Sequence, residues 1–183
     1  VPNLPVVPTS RPSQPVAEAD AEDLRARVLY RDEDMLVIAK PAGLAVQGGT
    51  GTHRHLDGML EALRFGLPEQ PRLVHRLDKD TAGVLVLART AAAAKVLTKS
   101  FRARGVRKIY WALTVGVPHP ASGTVRLPLA KAVGADGAER MRTISTGADA
   151  VTRYTVVGRV ARKAAWVALE AETGRTHQLR AHM

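Results

Sequence analysis

The 183-residue chain has no cysteine, which excludes disulfides, zinc ribbons and a cysteine nucleophile. No apolar stretch reaches the roughly 18–20 residues that a bilayer-spanning helix needs, and the start shows no basic segment followed by an apolar one, so no secretory signal is visible. The histidines do not fall at metal-ligand spacings. His53 and His55 are two apart and His177 and His182 five apart, with no supporting carboxylate at a known spacing, so no metal is expected. Gly48-Gly49-Thr50-Gly51 lacks the Gly-Lys-Ser/Thr ending of a phosphate-cradling loop. No internal repeat is present.

Acidic side chains are also scarce. Seventeen Asp and Glu stand against 27 Lys and Arg, for a net charge of +10. So large an excess exceeds what solubility requires. It favours a polyanionic partner, nucleic acid before an anionic membrane, although a solvated basic surface has the same composition. Hydrophobic residues make up 45% of the chain, enough for one domain with its own core.

Residues 1 to about 22 hold five of the eleven prolines and no helical or strand period. They read as a flexible linker over 1–23, with the folded domain spanning 24–183. Within it, Arg27–Tyr30 and Met35–Ala39 read as strands around a polar turn, the second stopped by Pro41. Leu56, Met59, Leu60 and Leu63 fall at i, i+3, i+4 and i+7, one face of a short helix. Val84–Ala88 is short and continuously apolar, as in a strand buried on both faces. Thr90 can cap a helix running to about Arg104 whose apolar face is Ala94, Leu97 and Phe101. Lys108–Val115, Val151–Val157 and Ala165–Glu170 read as further strands, Thr173-Gly174 as a turn, and Arg175 onward as the opening of a helix. The Gly- and Ala-rich stretch Val133–Asp149 reads as an exposed loop. Strands outnumber helices and come as neighbours, which favours an α+β fold with a mostly antiparallel sheet and flanking helices.

The chemistry-bearing segment is His75-Arg76-Leu77-Asp78-Lys79-Asp80-Thr81-Ala82-Gly83, a polar cluster between two apolar segments. Such loops can display active-site groups on a rigid frame, but more often are only solvated turns. Asp78 and Asp80 invite a glycosidase-like acid/base reading, but in an extended segment their i, i+2 spacing points them to opposite sides. Lys99, Arg102, Arg104, Arg107 and Lys108 place five positive charges within ten residues. They read either as a phosphate-binding surface whose affinity falls with salt or as a solvated helix face.

His75-Arg76-Leu77-Asp78 followed by Thr81 and Gly83 resembles the signature of the RluA-type RNA pseudouridine synthases. Three further blocks extend the likeness in the family's order: Lys40-Pro41-Ala42-Gly43, Lys108-Ile109-Tyr110-Trp111-Ala112-Leu113, and Thr173-Gly174-Arg175-Thr176-His177-Gln178-Leu179-Arg180-Ala181-His182. The resemblance covers about Val28 to Met183, and the Gly48–Gly51 loop is similar to the branch that modifies bacterial large-subunit ribosomal RNA. It implies the pseudouridine synthase fold and conversion of uridine to pseudouridine in RNA. In that likeness Asp78 is the nucleophile, Tyr110 the active-site aromatic and Arg180 the basic partner of the aspartate. Arg76 is expected near a flipped nucleotide, and Arg175 joins the basic run as an RNA contact. Ala82 stands where the family usually has serine, and Ala181 where valine is commoner. Members continue past the last motif, so the C-terminal part of the domain is expected beyond Met183, and the proline-rich start is similar to a connection to an upstream RNA-binding domain.

The chemistry suits these residue types. The isomerisation breaks an N–C glycosidic bond and makes a C–C bond to the same base, so no redox cofactor or metal is required. An ionised carboxylate can attack carbon or remove a proton. An arginine fork favours the ionised carboxylate, and a tyrosine can stack on a base and move a proton. The target base must leave its stack to be reached. The expected partner is ribosomal RNA, with transfer RNA the other candidate, and the expected form a cytoplasmic monomer without a membrane partner. Two competing readings are an RNA-binding module without activity and a hydrolase using Asp78 and Asp80.

Overall fold

A computed structural model describes residues 16–49, 51–103, 105–135, 137 and 139–183. The chain divides into two compact units at Phe101/Arg102.

The first unit is built on a four-stranded antiparallel sheet. Its strands are β1 (Val28–Arg31), β2 (Met35–Lys40), β3 (Arg72–Leu73) and β4 (Gly83–Ala88), in the order β1-β2-β4-β3. Leu36 pairs with Leu87 and Ile38 with Leu85, so these four fully buried side chains share one face. A 3-10 helix, Leu56–Leu63, covers that face with Leu56, Met59, Leu60 and Leu63, the four residues its periodicity singles out. The opposite face of β4 meets α2 (Ala91–Arg102), where Val74, Ala88 and Ala93 are buried beneath Val86, Ala94, Leu97 and Phe101. β4 is therefore covered on both faces from Leu85 onward, and only Val84 at its start is exposed. Thr90 caps α2 as its sequence indicates, its hydroxyl accepting from the Ala93 N–H at 3.1 Å.

The linker boundary at residue 23 needs correction, because α1 occupies Glu18–Ala26. Its residues are good helix formers, and Leu24 and Ala21 are buried, Leu24 within the same core as the 3-10 helix. Asp20 holds Arg54 at 2.7 Å, tying the helix to the loop before the 3-10 segment. The remainder of the proposed linker, residues 1–15, lies outside the described residues.

The second unit holds another four-stranded antiparallel sheet, ordered β5-β10-β9-β6. It comprises β5 (Ile109–Val115), β6 (Ser122–Arg126), β9 (Val151–Val160) and β10 (Ala164–Ala171). Ala165, Val167 and Leu169 are buried on its inner face, with Tyr110, Ala112, Tyr154, Val156 and Leu179 packed on them. The outer face carries exposed Trp111, Leu113, Val115 and Trp166, with the two tryptophan rings 5.7 Å apart. A short helix, α3 (Gln178–His182), follows the last strand.

The exposed loop expected over Val133–Asp149 contains a strand, β8 (Glu139–Thr143), which pairs with β7 (Leu129–Val133). Leu129 also pairs with Ala148, and Gly147 lies so close to that strand that an added Cβ would stand 2.5 Å from a Leu129 backbone atom. The β8 sequence Glu-Arg-Met-Arg-Thr shows no apolar alternation, and none of its residues is deeply buried. The polar edge strand β6 escapes sequence reading for the same reason.

If α1 is part of the fold, Leu24→Ala should cost about 2–5 kcal/mol, the usual range for a fully buried leucine. Urea unfolding followed by circular dichroism reads this; a linker residue would show no change.

Candidate active site

Lys40 sets the geometry of the charged loop. It follows Leu36 and Ile38 at the i+2 spacing that keeps a strand side chain on one face, and so it points inward. It is only 1% exposed. Its ammonium donates three hydrogen bonds, to the carbonyls of Pro41 at 2.8 Å, Leu44 at 2.8 Å and Lys79 at 3.0 Å. These use all three protons of the group. The Gly43 N–H also donates to the Lys79 carbonyl, at 2.9 Å. The loop after β2 and the loop bearing Asp78 are thus fastened to one buried cation. Burial pulls the Lys40 pKa down, and the charges of Asp80 and Asp78 oppose that shift.

Lys79-Asp80 form a turn closed by the Thr81 N–H donating to the Asp78 carbonyl at 3.1 Å. This corrects the extended segment assumed from sequence: strand alternation does not separate Asp78 from Asp80 in a turn. Asp78 is half-buried. Leu77 beside it packs on the main core of the first unit, which anchors the loop from below.

His75 governs how the chain leaves the sheet. β3 ends at Leu73, opposite Leu87, so the next donor along β4 lacks a strand partner. The His75 ring supplies one: its Nε2 accepts from the Val86 N–H at 2.9 Å. The ring also stacks on Phe101, with centroids 4.1 Å apart and planes 14° from parallel. A side-chain nitrogen replaces a backbone carbonyl there, and the main chain turns away without stranding a donor. Arg76 is exposed, and its Nη1 donates to Gln47 Oε1 at 3.2 Å.

In the second unit Tyr110 lies on the inner face of β5 and packs against the Ala165, Val167 and Leu169 cluster. Leu179 of α3 packs on the same cluster, so Tyr110 and the helix carrying Arg180 are gathered on one side of that sheet. Gln178, adjacent to Leu179, is 3% exposed and fully bonded. Its Oε1 accepts from the Thr173 hydroxyl at 2.6 Å and the Arg175 N–H at 3.1 Å. Its Nε2 donates to the Val151 carbonyl at 3.0 Å and to Thr152 Oγ1 at 2.9 Å. Arg180 itself is exposed.

The sequence-derived candidates thus fall into two sets: Asp78 and Arg76 in the first unit, Tyr110, Arg180 and Arg175 in the second. Of the basic run, Lys99 and Arg102 are exposed on α2, Lys108 is half-buried beside Gly174, and Arg104 lies outside the described residues. Arg107 donates to Glu170 at 2.9 and 3.3 Å, and this guanidinium holds the Glu170 carboxyl below its usual range. Part of its charge is therefore already compensated. The Arg175 Nε donates to the Asp149 carbonyl at 2.9 Å. Sequence reasoning gave no role to Lys40, His75, Gln47 or Gln178. For Lys40 a signal was present: an ionisable residue at the buried parity of an apolar strand. For Gln47 none was. Among the described residues no group of three or more His, Asp or Glu is placed to hold a metal ion, and no helix is long and apolar enough to cross a membrane.

Residues 34–183 match the family described as RNA pseudouridylate synthase. The chain belongs to that family. RNA pseudouridine synthase 4, mitochondrial, from Arabidopsis thaliana is 38% identical over 96% of this chain and 41% of its own length. Ribosomal large subunit pseudouridine synthase D from Pseudomonas aeruginosa is 41% identical over 89% of this chain and 51% of its own length. The chain thus spans about half the length of these curated relatives. Among solved structures, Human RNA Pseudouridylate Synthase Domain Containing 4 superposes with a TM-score of 0.75 at 36% identity, covering 88% of this chain and 65% of that one. In this family member, the block Lys40-Pro41-Ala42-Gly43 supplies the ammonium and part of the loop it holds.

Lys40→Met keeps the bulk and removes the three donors, stranding carbonyls that are worth about 1–3 kcal/mol each when buried and unpaired. The expected result is a urea midpoint lowered by an amount equivalent to at least one such group, together with faster proteolysis between residues 41 and 82. An unchanged midpoint would show that the carbonyls find other partners.

Proposed function

We propose that this chain is a catalytic part of an enzyme that isomerises uridine to pseudouridine in structured RNA, with Asp78 as the nucleophile. The observation that carries the reading is the Asp78 turn, fixed to the buried Lys40 ammonium in a chain whose residues 34–183 match the RNA pseudouridylate synthase family. A carboxylate that must meet one carbon of a flipped nucleotide gains rate from being held still, and the Lys79 carbonyl anchored to Lys40 adjoins Asp78 directly. Tyr110 is the ring on which the base stacks. Arg180 supplies the catalytic cation, whose fixed fork suits a carboxylate better than an ammonium does. Arg76 meets the flipped nucleotide, and its partner Gln47 is neutral, so the guanidinium charge remains available to RNA. The bond exchange stays within one nucleotide, so the mechanism calls on no cofactor.

Large-subunit ribosomal RNA is the proposed target. Supporting it are the Gly48–Gly51 loop and the relative from Pseudomonas aeruginosa, whose name is Ribosomal large subunit pseudouridine synthase D. The same reading has the protein act as a cytoplasmic monomer. Lys99, Arg102, Arg104, Arg107, Lys108 and Arg175 supply phosphate contacts, Lys99 and Arg102 with the greatest freedom because they are exposed and Arg107 with the least because Glu170 already engages it.

Asp78→Asn should abolish pseudouridine formation while RNA binding survives, measured by pseudouridine mapping and filter binding. Retained activity removes Asp78 as the nucleophile, and free uracil or a cleaved sugar bond would point to hydrolysis. Lys99→Glu with Arg102→Glu should weaken RNA binding and flatten its dependence on log salt by about 0.7–0.9 for each phosphate the variant no longer neutralises. An unchanged slope would make those residues solvated surface.

A further inference from the structure

One buried hydroxyl in the second unit touches the helix that carries Arg180 from both ends. Thr152 on β9 is 0% exposed. Its Oγ1 accepts from Gln178 Nε2 at 2.9 Å and lies 2.9 Å from His182 Nδ1. His182 Nε2 lies 3.0 Å from the Leu127 carbonyl. The Leu127 carbonyl can only accept, so Nε2 carries a proton; in the neutral ring Nδ1 then accepts and the Thr152 hydroxyl donates to it.

Gln178 and His182 are four residues apart, so a single helical face presents both to Thr152. Arg180 lies midway, two residues from each, and at about 100° per residue it projects from the opposite face. That is why Arg180 is exposed while its neighbours at i−2 and i+2 are bonded inward. The five residues of α3 supply few intrahelical bonds, and so short a helix is not stable by itself. His177 before it adopts a left-handed backbone, φ +49°, and makes no side-chain cap. Orientation must then come from side-chain contacts: Leu179 on the inner-face cluster, and the Gln178 and His182 grip on Thr152.

We propose that Thr152 is the positioning residue for Arg180, acting through Gln178 and His182. This rests on the role given to Arg180 above. A hydroxyl is required because it must accept from one side chain and donate to the other. Valine has the shape without either function, and serine has both functions without the methyl.

The test uses the intact protein and single-turnover pseudouridine formation across RNA concentrations. Thr152→Val should lower the maximal rate by about a hundredfold, the scale of a misplaced catalytic group, while leaving the RNA concentration at half-saturation unchanged. Thr152→Ser should restore most of that rate. In an Arg180→Ala background Thr152→Val should add almost nothing, since both remove one contribution. Hydrogen exchange should show amides 178–183 losing protection in Thr152→Val while β9 and β10 keep theirs. The proposal is overturned if Thr152→Val stays within about twofold of the parent, if serine is as impaired as valine, or if the Val effect is undiminished without Arg180. If Thr152→Val does not fold, His182→Phe takes its place, with the same expected rate loss and non-additivity; an unaffected rate overturns the idea. Should Arg180→Ala be fully active, the role of Arg180 falls, and hydrogen exchange alone decides whether Thr152 holds α3.

Discussion

A lysine ammonium sealed among backbone carbonyls is the constraint on which the candidate site depends. Burying a cation is costly unless every proton is matched, and Lys40 matches all of them with carbonyls from two loops that are remote in sequence. No shorter or apolar side chain could do this from the end of β2. Gly83, opposite Lys40 in the ladder, has a φ of +138°, which other residues rarely adopt. The Lys-Pro-x-Gly block and the His-Arg-Leu-Asp block are two halves of a single structural device.

The two units hold their functional groups by similar means. In the first, His75 and Lys40 use polar side chains to finish what the backbone leaves undone, one completing a strand edge and the other collecting carbonyls. In the second, Gln178 and Thr173 satisfy the backbone around the Thr173–Arg175 turn. In the first unit the half-buried Asp78 adjoins the carbonyl that the buried Lys40 holds; in the second the exposed Arg180 is two residues from the buried Gln178. Buried polar networks have few alternative arrangements, so they define a loop more sharply than apolar contact does.

Much of this was legible in the sequence. Apolar period found the 3-10 helix face, β2, β4 and the packed face of α2, because burial on a regular element leaves a regular trace. The family blocks are what singled out Asp78, Tyr110 and Arg180 as candidates. What was not legible lacked that trace. α1 was absorbed into a proline-rich stretch because only Ala21 and Leu24 are buried on it. β8 and β6 are polar and shallow. The turn at Lys79-Asp80 removed the parity argument about the two aspartates, since alternation holds only for extended backbone. Thr152 looks in sequence like any β-branched strand residue, and its function appears only when α3 folds back over it.

Both tryptophans of the chain, Trp111 and Trp166, lie side by side on the outer face of the second sheet, and the first unit has none. Intrinsic tryptophan emission is therefore a local reporter. Its wavelength responds to the wetting of that one surface, and the two indoles are close enough to exchange excitation. The unit that carries Lys40 and Asp78 has no indole of its own, so this channel has no reporter inside it.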